Sequence, residues 1–191
     1  MRAQCDKIKI FEDNYTTFEE ASRDKHNKDL GYMTDSEVQV IDFDKVKDSY
    51  IKDMGLSYRP CSTDALYFGK DDKIYFVEFK NGVMNKAEVF HVYNKIYDSL
   101  LMFNDIIKEN VSFCRDNVIF ILVYNESKNS CREDSVKKED SSKAVIAKYF
   151  HAKAKKKYVR FDLDRFKKLY FRDVFTYTEK EFEEAFLAGL E

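Results

Sequence analysis

The 191-residue chain has no tryptophan, a single proline at Pro60 and only five glycines. So few breakers exclude a loop-built architecture and predict long regular elements. Cysteine is scarce too. Cys5, Cys61, Cys114 and Cys131 show no CxxC zinc spacing and are too few for a disulfide-built scaffold. That usage predicts free thiols in the cytoplasm, with a structural disulfide as the lesser reading. No apolar run approaches the length of a membrane span, and the first residues lack an apolar signal region, so no membrane partner is expected. Charge of one sign is also missing. The net charge of −2 gives no overall pull toward nucleic acid.

What is present is aromatic and charged. There are 17 Phe and 13 Tyr, and 36% of residues are Asp, Glu, Lys or Arg. With 44% hydrophobic residues, this describes a folded chain with a heavily charged surface rather than a disordered one. The length suits one domain, residues 1–191, with a sizeable core. The charge is unevenly spread. From Lys143 to Arg172 there are 11 Lys or Arg against Asp162 and Asp164 alone, a local +9. Such a segment reads equally as a phosphate-binding face or as a solvated face balanced by acids folded against it.

Elements follow from caps and periodicity. Thr17 with Glu20 forms a capping-box pattern, predicting a helix that stops at Gly31. Val38–Phe43 reads as a short strand. Asp44 then caps a helix to Met54, with Val46, Tyr50 and Met54 on one face and Gly55 at its end. Thr63–Phe68 and Ile74–Lys80 read as a hairpin across the polar turn 69–73. Asn85 and Glu88 suit the start of a long helix whose stripe is Val89, Val92, Ile96, Leu100, Phe103 and Ile107. Val118–Tyr124 is a continuous apolar run, as in a strand buried on both faces. A helix over Lys143–Ala154, a strand over Tyr158–Leu163 and a helix capped by Thr178 and Glu181 complete the chain, with 125–142 as a connecting loop. Strands alternating with helices around an early hairpin predict an α/β fold: a mixed β-sheet flanked by helices.

The hairpin carries the chemistry. Side chains alternate across a strand, so Ile74, Phe76, Glu78 and Lys80 share one face. A five-residue turn pairs Phe68 with Ile74, Leu66 with Phe76 and Asp64 with Glu78. Two facing carboxylates repel. Either a hard divalent cation bridges them, or Lys80 neutralises them in a purely structural site. Metal-dependent phosphodiester hydrolysis needs this set: carboxylates to hold the ion, and a cation to steady the water or the developing charge.

Pro60, Asp64 and the run Phe76-Val77-Glu78-Phe79-Lys80 resemble the PD-(D/E)XK nuclease superfamily, which includes restriction endonucleases and Holliday-junction resolvases. The resembling region spans about residues 44–124, followed by the basic part, about 143–191. The resemblance implies a restriction-endonuclease-like core in the order helix, three strands, helix, strand. It implies Asp64 and Glu78 as metal ligands, Lys80 as the catalytic lysine, magnesium or manganese as cofactor and nucleic acid as substrate. The pattern departs in places. Three residues separate Pro60 from Asp64, and the first core strand is not evident. An assisting acid from the first core helix would be Asp48, Asp53 or Glu37.

Other residues carry weaker signals. His91 and Lys95 lie four apart on the long helix and share a face, which reads first as solvent-facing and second as an addition to the site. Tyr93 and Tyr97 could stack on a base, although Tyr93 fits the apolar stripe and reads first as core. Lys153, Lys155, Lys156 and Lys157 could contact phosphates or form a solvated helix end. His26 and His151 have no visible partner. The expected function is nucleic-acid phosphodiester hydrolysis. The alternatives are a non-catalytic nucleic-acid-binding or protein-interaction module on the same fold, and a component of a defence or mobile-element system acting with a partner or as a homo-oligomer.

Overall fold

The computed structural model describes residues 8–24, 31–70, 72–130 and 159–190. Twelve elements are named here in chain order. α1 (Lys9–Glu12), β1 (Tyr15–Thr17), α2 (Phe18–Ala21) and β2 (Gln39–Asp42) open the fold. α3 (Phe43–Met54), β3 (Ala65–Phe68), β4 (Ile74–Lys80) and α4 (Lys86–Ile107) carry its centre. α5 (Val111–Asn117), β5 (Val118–Tyr124), β6 (Asp173–Thr178) and α6 (Glu179–Ala185) close it.

The strands form one mixed sheet in the order β1-β2-β3-β4-β5-β6. The first four run as an antiparallel meander, while β5 and β6 lie parallel to β4 and to each other. This is the α/β class expected from the alternation of patterns. The 22-residue α4 is the crossover that lets β5 return parallel to β4.

Both faces of the sheet are covered, and each has its own apolar cluster. On one face Leu66, Ile74, Phe76, Phe120 and Leu122 pack under α3 and α4 with Val46, Val92, Ile96, Leu100 and Phe103. On the other, Ala65, Tyr67, Tyr75, Val77 and Ile121 pack against Phe18 of α2, Phe182 of α6 and Phe186 just after it. β5 therefore has no solvated side, and every residue of VIFILVY is buried.

Caps set the positions of the helices. Asn85 Oδ1 accepts from the backbone N–H groups of Ala87 and Glu88, as the sequence predicts. Thr178 and Glu181 close a complete capping box on α6. α3 starts two residues earlier than expected. Asp42, not Asp44, accepts from Lys45 N at 3.1 Å, and Asp44 lies in the first turn. Gly55, at φ 65°, ends α3 in the left-handed conformation a glycine adopts without strain. Met54 is exposed rather than on the buried face with Val46.

Other expectations fail for physical reasons. The helix after Thr17 spans one turn, because residues 22–29 offer no apolar side chain to pack and Ser22 Oγ donates back to the Glu19 carbonyl. β1 and α5 are short and were not anticipated. The strand expected over Tyr158–Leu163 is absent from its described residues. Phe161 and Asp162 take left-handed φ values of 62° and 58°, and Leu163–Phe166 forms a 3-10 turn that packs Leu163 and Phe166 onto the core. The last strand is β6, ten residues further on. The helix expected over Lys143–Ala154 lies outside the described residues.

Candidate active site

Asp64, Glu78 and Lys80 come together at the end of the β3–β4 hairpin, beneath α4. Glu78 and Lys80 sit two apart on β4 and face α4, the side that also holds Ile74 and Phe76. The register Ala65–Val77 puts Asp64 one step further, level with Glu78. β3 begins only at Ala65, however, so the expected Asp64–Glu78 ladder pair does not form. The backbone before it is engaged elsewhere. Thr63 N donates to Ser99 Oγ at 2.8 Å, and Phe43 N donates to the Asp64 carbonyl at 3.2 Å. The Asp64 side chain instead turns toward β4, where Oδ2 accepts from Phe79 N at 2.7 Å. That charge-assisted bond fixes one oxygen and leaves Oδ1 directed at the site.

The cation that joins the two acids is Lys95, from the middle of α4. Its Nζ lies 3.1 Å from Asp64 Oδ1 and 2.7 Å from Glu78 Oε1. Lys80 approaches Glu78 Oε1 at 3.5 Å from the other side and also pairs with Glu88 at 3.4 Å. Glu78 has no exposed surface at all, and neither of its carboxylate oxygens has a hydrogen-bond partner among the described residues, Oε1 being met only by the ion-pair contacts of Lys95 and Lys80. Buried carboxylate oxygens are normally satisfied, so this carboxylate is the least settled polar group of the site.

Burial, reinforced by the negative charge of Asp64, pushes the Glu78 carboxyl up to about 7, against the opposing pull of Lys95 and Lys80. Burial also works against the Lys95 ammonium, but Asp64 and Glu78 outweigh it and hold Lys95 above the ordinary lysine range. Lys95 is therefore charged at neutral pH. His91 is lowered by burial and by Lys80 and Lys95.

Of the residues expected to be peripheral, Lys95 is the one that belongs inside. Its expected solvent exposure is wrong. The lysine sits three residues after Val92 and four before Ser99, both buried, and its side chain is only 14% exposed. A lysine within an apolar stripe is the signal that could have identified it. His91 is exposed at the rim. Tyr97 stacks edge-on to Phe166 and Tyr170 and remains exposed. Tyr93 packs on Phe166 and donates to the Phe161 carbonyl.

Of the candidate assisting acids, Asp48 is exposed beside Lys47, Asp53 is exposed at the end of α3, and Glu37 precedes β2. The acid of α3 nearest in effect is Asp44, whose charge acts on Lys95. It pairs with Lys47 at 3.5 Å and accepts from Ser62 Oγ. Lys153, Lys155, Lys156 and Lys157 lie outside the described residues. Among the described basic residues of that segment, Arg160 stacks over Tyr124 and Phe161, Arg165 pairs with Asp162 and Lys167 with Asp173.

No family model, curated protein or solved structure matches this chain. The site must therefore be read from its own chemistry. Two hard carboxylates already converge on a single cation, and the buried Glu78 carboxylate lacks hydrogen-bond partners among the described residues. Those features fit a magnesium-type ion, which commonly uses one or two carboxylates and retains water for the rest. No group of three or more His, Cys, Asp or Glu arranged to hold a metal occurs among the described residues. Cys61 and Cys114 are free thiols, and no described helix is long and apolar enough to cross a membrane.

Proposed function

We propose that the chain is a divalent-metal-dependent phosphodiesterase acting on nucleic acid, with a restriction-endonuclease-like core. The observation that carries this reading is the convergence of Asp64 and Glu78 on one cation, with Lys80 two residues beyond Glu78 on the same face. The connectivity supports it. β2, β3 and β4 form an antiparallel meander, α4 follows, and β5 returns parallel to β4. One feature departs from the superfamily order: α3 falls between β2 and β3 instead of before the meander.

In this reading Asp64 Oδ1 and Glu78 are the ligands, and magnesium or manganese supplies charge neutralisation and an acidified water. The chain does the rest. Phe79 N–H holds Asp64 in orientation through Oδ2. The apolar floor of Phe76 and Leu122 keeps Glu78 in a low-dielectric setting that strengthens its attraction for a cation. Lys80, anchored between Glu78 and Glu88, is positioned to hold a water or meet charge developing on a phosphate oxygen.

A second reading rests on the same contacts. Lys95 already neutralises both carboxylates, as a structural ion cluster would, and this favours a non-catalytic binding or interaction module on the same fold. Cleavage of labelled DNA and RNA, single- and double-stranded, separates the two. The nuclease reading expects magnesium-dependent products that disappear in Glu78→Gln and fall at least a hundredfold in Lys80→Ala, with both variants folded. Cleavage that survives Glu78→Gln, or no cleavage of any of the four substrates, contradicts it.

A further inference from the structure

The Lys95 ammonium lies between Asp64 Oδ1 and Glu78 Oε1, at 3.1 and 2.7 Å. This is the space a bridging divalent ion would share, and two cations cannot occupy it together. Lys95 reaches it from the centre of a 22-residue helix fixed by Val92, Ile96 and Leu100 on either side, so its backbone cannot retreat. Only the flexible four-carbon stem can move. We propose that Lys95 is a tethered competitor for the metal seat, so that a divalent ion enters only as the ammonium swings out from between the two carboxylates.

The inference rests on the metal reading of Asp64 and Glu78. The geometry distinguishes Lys95 from Lys80. Lys80 touches Glu78 alone, at 3.5 Å, and has Glu88 as a second partner, so a metal can bind without displacing it. Lys95 touches both carboxylates and must give up at least one. Asp44 also acts on Lys95 electrostatically and favours its charged form. Metal affinity is then set by an exchange of cations, which raises the ion concentration needed to load the site without altering the ligands.

Calorimetric titration of manganese into the full chain tests this with three proteins. Lys95→Met should bind manganese at least tenfold more tightly than wild type. Lys80→Ala, which removes an equal charge without vacating the seat, should gain clearly less. Equal affinity in wild type and Lys95→Met, or an equal gain in both variants, overturns the inference while leaving the metal reading intact. Failure of all three folded proteins to bind overturns both. Should Lys95→Met not fold, wild type alone decides. With lysine Nζ labelled by nitrogen-15, the protected Lys95 ammonium resonance should shift and lose its protection as magnesium saturates the site. A resonance unchanged at saturation overturns the inference.

Discussion

Glu78 concentrates the tension of the site in one residue. It is fully buried, neither carboxylate oxygen has a hydrogen-bond partner among the described residues, and its carboxyl is pushed up to about 7 because burial and Asp64 oppose its charge. The folded value therefore lies above the unfolded one. Below the unfolded value of about 4.5 both states hold the proton, and this contribution to stability is complete. As the pH rises toward 7 the unfolded chain releases its proton first, and the contribution is lost on the order of 3 kcal/mol. Metal-free melts should show wild type losing stability between pH 4.5 and 7 relative to Glu78→Gln, which has no proton to lose. Parallel curves for the two proteins would refute this environment. The shared face of Glu78 and Lys80 was legible from strand alternation, because a period of two fixes the face without any tertiary information, whereas Asp64 precedes β3 and reaches the same side through its side chain. Lys95 was not legible by the same means. A lysine four residues from His91 looks solvent-facing until the helix face is fixed by Val92 and Ser99, and only the fold shows two carboxylates beneath it.

Among the elements, the capped ones were readable and the packing-dependent ones were not. Asn85 and Thr178 carry local hydrogen bonds that the sequence specifies by itself. Thr178→Ala should remove the α6 cap and cost about 1 kcal/mol, measured by denaturant unfolding. Because α6 supplies Phe182, with Phe186 just after it, to the face of the sheet opposite Asp64 and Glu78, metal affinity should stay unchanged. A change in affinity would mean that this helix couples to the site. β6 escaped notice because the alternation of Val159, Phe161 and Leu163 is as strand-like as that of Asp173–Thr178. The chain resolves the choice by left-handed turns at Phe161 and Asp162, a feature with no glycine to announce it. The Asp64–Glu78 pairing was predicted one residue too generously, since side chains and not the ladder hold Thr63 and Asp64.

At the scale of the molecule, the sheet puts Glu78 in β4, between the antiparallel meander and the parallel strands, with apolar layers on both faces. That placement buries the hairpin on both faces and leaves α4 as the roof of the site. The excess of positive charge in residues 143–172 is a property of the sequence, and its described arginines and Lys167 are largely engaged with neighbouring groups. Should the remaining lysines bind phosphates, nucleic-acid affinity must fall steeply between 50 and 200 mM salt, by roughly tenfold or more for a few contacts. Affinity that hardly changes over that range would assign the segment to the solvated surface. The central claim, that Asp64 and Glu78 form a divalent-ion site, is tested most directly by anomalous diffraction from crystals soaked in manganese. A single strong peak is expected between the two carboxylates, with the Lys95 ammonium moved aside. A peak absent from that position at millimolar manganese, with Lys95 still bridging Asp64 and Glu78, would contradict it.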